Sequence, residues 1–151
     1  MKPSDSLRVL HVDDDPAVTR MVAALLQPHG IEVTQLHDPT RAVEYMIQGN
    51  FRIVILDLDM PLVNGIELLR QIKQADGGTS VIVLTGIVSQ SSVLHSMRTG
   101  ATACLFKPLT SVDALLDCIR EIERNTDRWW KTLRELSELK RTELEYSAVN
   151  A

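Results

Sequence analysis

The chain has 151 residues, of which 44% are hydrophobic and 24% charged, and its formal net charge is −4. This length and composition predict one domain of ordinary size with enough apolar residues for a core. A negative chain without a run of lysine or arginine does not fit a general nucleic-acid binder. No segment is apolar enough for a signal peptide or a membrane span. Two cysteines, Cys104 and Cys118, make no disulfide framework, which favours a reducing cytoplasm.

Five short apolar runs predict β-strands, three of them rich in valine and isoleucine. They are LRVLHV (7–12), IEVTQL (31–36), RIVIL (52–56), SVIVLT (80–85) and ACLF (103–106). The third and fourth runs are apolar almost throughout, which is typical of strands that are covered on both faces, as in a parallel sheet.

Helix-start signals follow the first two runs. Asp15-Pro16 and Asp38-Pro39 each offer an aspartate cap followed by a proline at the first helical position. We expect the first helix to end before Gly30 and the second to end at Gly49 or Asn50.

Three further helices complete the alternation of strands and helices. The third spans about 65–76, a weaker fourth lies near 89–99, and Thr110 with Asp113 forms a capping-box pattern for the fifth. Strict alternation predicts an α/β fold in which an open, five-stranded parallel sheet carries helices on both faces. In such sheets, ligands bind beyond the carboxyl ends of the strands, where the strand order reverses.

Polar residues follow four of the five predicted strands at this edge of the sheet. They are Asp13-Asp14-Asp15, Asp57-Leu58-Asp59, Thr85-Gly86 and Lys107-Pro108. Any one of these groups is ordinary for a loop, but all four together predict a ligand site. The four histidines are scattered without metal-site spacing, and we interpret them as structural or surface positions.

These residue types indicate phosphoryl chemistry supported by a divalent cation. Mg²⁺ prefers oxygen ligands, and Asp14, Asp57 and the backbone carbonyl of Asp59 are the best candidates. A carboxylate can also be a nucleophile that forms an aspartyl phosphate. The Lys107 ammonium and the Thr85 hydroxyl would then stabilise the charge on the transferred group.

The segments VLHVDDDP, VILDLDMPLVNG, VIVLTG and CLFKP resemble the receiver domain of two-component response regulators over about residues 7–125. The stretch from Asp57 to Gly65, Asp-x-x-Met-Pro-x-x-x-Gly, is the most specific match. The resemblance implies a flavodoxin-like (βα)5 doubly wound fold. It also implies phosphorylation of Asp57, with Mg²⁺ or Mn²⁺ bound directly by Asp14 and indirectly by Asp13, and with Thr85 as the switch hydroxyl and Lys107 as the phosphate-binding lysine.

The resemblance further implies a phosphorelay protein that accepts phosphate from a histidine kinase or phosphotransfer protein and is not otherwise an enzyme. Cys104 departs from the family, which usually has Tyr or Phe at this position, so we do not expect the usual readout by a moving aromatic ring. One alternative is a haloacid-dehalogenase-like phosphohydrolase, because Asp57 and Asp59 have the spacing of its nucleophile and acid. Another alternative is that the receiver is a fragment of a larger regulator.

The last segment contains no Pro or Gly and predicts that the fifth helix continues unbroken to about residue 145. We therefore expect a receiver domain at 1–125 and a helical extension at 126–151. Apolar spacing indicates a seam that lapses at Lys140 and Glu143; its members are Leu115, Ile119, Ile122, Thr126, Trp129, Leu133 and Leu136. The seam predicts a homodimer, docking on an unknown output protein, or a tail that folds back on its own receiver. The net charge and the lack of a long apolar segment predict no nucleic-acid or membrane partner.

Overall fold

The structure is a computed structural model that describes residues 6–151. Residues 1–5, part of the terminus that we expect to lack a signal peptide, lie outside the described residues. The contacts divide the chain into two units, Met1–Cys118 and Ile119–Ala151. The division at 125/126 between a receiver and an extension stays a prediction. Within residues 6–151, no helix is both long and apolar enough to cross a membrane.

Five parallel strands form one sheet in the order β2-β1-β3-β4-β5. The strands are β1 (Leu7–Val12), β2 (Ile31–Leu36), β3 (Ile53–Leu56), β4 (Ser80–Thr85) and β5 (Ala103–Phe106). The predicted fold class is confirmed, and only β3 begins one residue later than expected. The strand order reverses between β1 and β3, so the carboxyl ends of these two strands border the switch point.

Five α-helices alternate with the strands. They are α1 (Pro16–Leu26), α2 (Ala42–Gln48), α3 (Gly65–Ala75), α4 (Gln90–Thr99) and α5 (Asp113–Val149). The expected cap of α1 is present, because the Asp15 carboxylate accepts a hydrogen bond from the Ala17 N–H at 2.9 Å. The unbroken fifth helix is also present, and it continues four residues beyond the predicted end.

Several helix ends differ from the prediction. α1 ends at Leu26, and a 3₁₀ turn (Gln27–His29) follows, because Pro28 has no N–H to continue the helical hydrogen bonds. Asp38 caps a second 3₁₀ turn (Pro39–Arg41) rather than α2 itself. The expected capping pair at α5 was wrong: the Asp113 N–H donates to the Ser111 hydroxyl at 3.1 Å, and Thr110 takes no part in that bond.

The core of the first unit lies on both faces of the sheet, as strand alternation requires. On one face, side chains of α2 and α3 pack on those of β1, β3 and β4 in a cluster that includes Leu10, Met46, Leu56, Leu69 and Val83. The residues that alternate with these strand positions are equally buried and point to the opposite face, among them Ile55, Ile82 and Leu84. The two covered faces hold the strand ends in fixed positions.

Gly65, the first residue of α3, is required by a close approach of two backbone segments. A Cβ atom at this position would lie under 3.0 Å from the Cα, C and O atoms of Leu58. We expect Gly65→Ala to lower the free energy of unfolding by roughly 1–3 kcal/mol, because backbone atoms cannot move aside as a side chain can. Gly86→Ala is the matched control, since its Cβ would meet nothing within 4 Å. Urea unfolding measures both, and equal stability of the two variants would contradict the steric account.

Candidate functional site

The candidate site lies where β1 and β3 end, at the switch point of the sheet. The first loop starts with Asp13 and Asp14, and the loop after β3 starts with Asp57. The Asp57 N–H donates to the Val12 carbonyl at 3.0 Å, so the backbone ladder extends to the acidic residues themselves. The sheet, rather than the mobile end of a long side chain, therefore fixes the spacing of the three carboxylates.

The carboxylates of Asp13, Asp14 and Asp57 form one cluster, in which one oxygen from each residue lies within 4.8 Å of the other two. Asp13 and Asp57 are buried, whereas Asp14 is exposed. Three carboxylates at this spacing repel one another, and oxygen ligands of this kind suit a hard divalent cation. The three carboxylates present here fit Mg²⁺, which prefers oxygen ligands.

Lys107 connects β5 to this cluster. Its ammonium lies 2.6 Å from Asp13 Oδ2 and 3.2 Å from Asp57 Oδ2. Burial lowers the pKa of Lys107, but the hydrogen bond and charge of Asp13, together with the charge of Asp57, outweigh burial and hold this pKa above its ordinary value. The lysine therefore stays charged at neutral pH and offsets part of the repulsion between the two buried carboxylates.

Three further residues border the acidic cluster: Thr85, Gly86 and Asp59. The buried Thr85 hydroxyl oxygen accepts a hydrogen bond from the Ile87 N–H at 3.2 Å, which leaves the hydroxyl proton to donate elsewhere. Gly86 faces open space. The Asp59 N–H donates to Asp57 Oδ1 at 3.2 Å, and the Asp59 side chain is exposed. The Lys107–Pro108 peptide is cis.

Asn64 is a supporting residue that the sequence reasoning missed. Its side-chain oxygen accepts hydrogen bonds from the N–H groups of Ile66 and Glu67 and so caps α3. A β-bridge also pairs Asn64 with Asp59 across the loop. An asparagine directly before a helical run is a recognisable cap signal, and it identifies this position from the sequence alone.

Cys104 lies on β5 at the position where receivers usually carry an aromatic residue. It is partly buried and packs against the apolar cluster of the core. Burial raises the pKa of its thiol, so the side chain is neutral and poorly reactive at neutral pH. These contacts give the small Cys104 side chain a packing role. It has no aromatic ring whose movement could report a change at the site.

His11 is buried on β1, and neither of its ring nitrogens has a hydrogen-bond partner among the described residues. Burial, with smaller contributions from the charges of Lys107 and His37, lowers the pKa of His11 from 6.5 to about 3. Because the unfolded chain binds this proton more readily, stability is full above pH 6.5 and falls as the pH drops toward 3.

We expect the wild type to lose roughly 1 kcal/mol of unfolding free energy between pH 7.5 and pH 5.5 through His11. His11→Val removes the titrating ring, so its loss over the same interval is expected to be smaller by that amount. Urea unfolding of both proteins in EDTA measures the difference, since carboxylate titration is common to both. Equal pH dependence in the two proteins would contradict the assignment to His11.

Comparison with known proteins identifies the family of the chain. Residues 9–120 match the family described as the response regulator receiver domain. The chain is 35% identical over 113 residues to the C4-dicarboxylate transport transcriptional regulatory protein DctD of Pseudomonas aeruginosa, an alignment that covers 75% of this chain and 24% of DctD. The chain spans between about a quarter and about half the length of the curated relatives that it matches.

Solved structures share the fold at 25% and 28% sequence identity. A CheY-like receiver domain from Methanospirillum hungatei superimposes with a TM-score of 0.75 and 25% identity, covering 82% of this chain and 99% of that one. The chemotaxis protein CheY4 of Vibrio cholerae superimposes with a TM-score of 0.71 and 28% identity, covering 78% of this chain and 99% of CheY4. The fold and these matches define a CheY-like receiver domain. The chain belongs to the response regulator receiver domain family of two-component systems.

The family also argues against the alternative that Asp57 and Asp59 form a haloacid-dehalogenase-like pair. The two residues follow β3, the third strand in the chain and a central strand of the sheet, and the relatives that match are response regulators. Nothing in the site or in the comparisons supports the phosphohydrolase. Receivers are in general not catalytic enzymes.

Proposed function

We propose that this chain accepts a phosphoryl group on Asp57, with Mg²⁺ or Mn²⁺ bound beside it, and signals through protein contacts. The observation that carries the proposal is the position of the buried Asp57 carboxylate. It lies 3.2 Å from the Lys107 ammonium and in one cluster with Asp13 and Asp14. In this arrangement the Asp57 carboxylate can be the nucleophile. The Lys107 ammonium, together with a metal ion held by the acidic cluster, would stabilise the charge on the transferred group.

Asp14 and Asp57 would hold the cation directly, with the backbone carbonyl of Asp59 as a third protein ligand. Asp13 would act indirectly, because its Oδ1 already accepts from the Asp15 N–H at 2.9 Å and its Oδ2 from Lys107. When bound, the cation neutralises negative charge on the carboxylates and on the transferred phosphoryl oxygens. Exposed Asp14 leaves the site open to solvent on that side.

In the transfer, an oxygen of Asp57 attacks the phosphorus atom of the donor. The new bond joins that oxygen to phosphorus, while the bond from phosphorus to the donor breaks and its electron pair leaves with the donor. The donor is a phosphohistidine of a kinase or phosphotransfer protein, or a small acyl phosphate. Lys107 and the Thr85 hydroxyl donate to the phosphoryl oxygens as charge develops. Attack by water on phosphorus later releases phosphate and restores Asp57.

An apolar recess beside Lys107 supports docking of a protein donor. It has a volume of about 250 Å³ and is lined by α1, by β4 and by the loop that follows β5; the residues are Ala17, Val18, Met21, Leu84, Lys107, Pro108 and Leu109. A donor that fills an apolar recess next to the phosphate-binding lysine would be held close to Asp57.

Cys104 and Cys118 form no disulfide, which suits the reducing cytoplasm where such kinases act.

Metal dependence tests the proposed function. Incubation with acetyl phosphate and Mg²⁺ is expected to add one phosphoryl group to the intact mass, and EDTA to prevent the addition. Asp14→Ala is expected to lower the labelling rate by at least about tenfold, because a direct ligand is lost. Asp15→Asn, which removes a neighbouring negative charge and retains a capping side chain, is expected to label at nearly the wild-type rate. Labelling that is insensitive to EDTA would contradict the proposed metal site.

A further inference from the structure

The last part of α5, residues 126–149, presents a wide uncharged face, which we name the tail face. In a seven-residue repeat that starts at Thr126, the tail face comprises the first, fourth, fifth and seventh positions. Its uncharged members are Thr126, Trp129, Trp130, Thr132, Leu133, Leu136, Ser137, Leu139, Leu144, Tyr146 and Ser147. Every charged residue between 127 and 145 lies on the other three positions, except Lys140 and Glu143.

The apolar side chains of the tail face are exposed to an extent that is unusual for tryptophan and leucine. Trp129 is 65% exposed and Leu144 is 72% exposed, while Leu133 and Leu136 are about half exposed. Two indoles and four leucines in this state present roughly 700 Å² per chain, close to the ~800 Å² that each partner contributes to a standard protein interface. An exposed apolar surface of this size marks an interaction site.

The two charges on the tail face identify the orientation of a second copy. In a parallel, in-register pair, Lys140 would meet Lys140 and Glu143 would meet Glu143, which places like charges in the seam. In an antiparallel pair centred between Leu133 and Leu136, these two leucines meet each other. Trp129 then faces Lys140, an aromatic ring with a cation, and the short side chain of Thr126 faces Glu143.

Side-chain size agrees with the same register. The antiparallel pair places bulky Trp130 opposite small Ser137, and Leu139 opposite Thr132, on the two flanks of the seam. Large side chains that face small ones fill the space between helices without overlap. A parallel pair would instead place Trp129 against its own copy.

The long-range charge distribution favours the same orientation. Residues 127–134 contain three basic and one acidic residue, a net charge of 3 − 1 = +2. Residues 135–145 contain two basic and four acidic residues, a net charge of 2 − 4 = −2. Antiparallel pairing lays the positive half of each helix along the negative half of the other, whereas parallel pairing lays like charge along like charge.

We propose that two copies of this chain dimerise through the tail face in an antiparallel helix pair, with the two-fold axis between Leu133 and Leu136. Such an interface is isologous, because the same patch serves both copies. The proposal does not depend on phosphorylation or on the metal site, and it is tested on the unphosphorylated full chain.

Light scattering at micromolar concentration tests the association. The wild type is expected to have the mass of a dimer, and Leu136→Gln to weaken the dimer by at least about tenfold in dissociation constant. Glu138→Gln is the matched control, because it introduces the same residue on the charged side of the helix and is expected to leave the dimer intact. A monomeric wild type, or equal weakening by both substitutions, would overturn the proposal.

Spin-label distances test the orientation, in a background where Cys104 and Cys118 are replaced by serine and the dimer mass is verified. In the antiparallel register, residue 145 lies opposite residue 124 of the second copy, so two labels at Glu145→Cys are separated by roughly 30 Å along the axis. Labels at Glu135→Cys lie at the centre of the pair and are expected to be much closer. Equal distances at the two positions would show a parallel pair and overturn the proposed geometry.

Discussion

Asp57→Asn is expected to abolish labelling by acetyl phosphate, so that the intact mass stays that of the unmodified chain. The physical reason is the loss of the carboxylate that we propose as the nucleophile. The substituted amide oxygen carries no negative charge to attack phosphorus and is a poorer metal ligand. The change is nearly isosteric at a position that is 2% exposed, so the fold is expected to persist. Circular dichroism checks the fold alongside the mass measurement.

Asp59→Asn is the matched control for this prediction. It makes the same chemical change two residues away, at an exposed side chain, and leaves the backbone carbonyl of residue 59 in place. We expect it to label in full. If Asp59→Asn lost labelling and Asp57→Asn retained it, the assignment of the phosphoacceptor to Asp57 would be wrong.

Lys107→Ala is expected to lower the rate of phosphorylation by at least about tenfold. The ammonium contacts both Asp13 Oδ2 and Asp57 Oδ2, so it lies beside the carboxylate that would carry the phosphoryl group. Removing one preorganised donor from such a site commonly costs two orders of magnitude or more in enzymes. Stopped labelling reactions analysed by mass give the rate.

The same variant makes a second, opposite prediction for the metal. Lys107 carries a positive charge close to the carboxylates that would bind Mg²⁺, so its removal is expected to leave Mg²⁺ affinity unchanged or to increase it. Titration calorimetry measures this affinity. Weaker Mg²⁺ binding in Lys107→Ala would indicate that the site had collapsed, and the loss of labelling would then say nothing about the role of the ammonium.

Much of the fold followed from local patterns in the sequence. The apolar runs located the strands because a strand that is covered on both faces must be apolar at nearly every position. The errors were at helix ends, where short-range alternatives compete. Pro28 ended α1 earlier than Gly30 suggested, and the turn after Asp38 formed a 3₁₀ helix before α2 began. Such differences amount to a few hydrogen bonds, and a capping signal alone does not decide between them.

The candidate site was predictable in its residue types and less so in its internal contacts. Acidic residues at two strand ends predicted a shared edge, because parallel strands bring their carboxyl ends together. The shared ion pairing of Lys107 with Asp13 and Asp57 depends on atomic positions in three loops, which no local pattern specifies. The sequence analysis interpreted His11 as a structural or surface position, and the structure places it in the core. Its lowered pKa was not predictable, because the lack of a hydrogen-bond partner is a property of the packed structure.

The most direct test of the central claim is to locate the phosphoryl group chemically. Borohydride reduces an aspartyl phosphate to homoserine, so treatment of the labelled chain followed by peptide mass spectrometry identifies the modified residue. We predict homoserine at position 57 and at no other aspartate, and none in chains labelled in the presence of EDTA. Homoserine at Asp13, Asp14 or Asp59, or an unmodified Asp57 in a chain that has gained a phosphoryl group, would contradict the account.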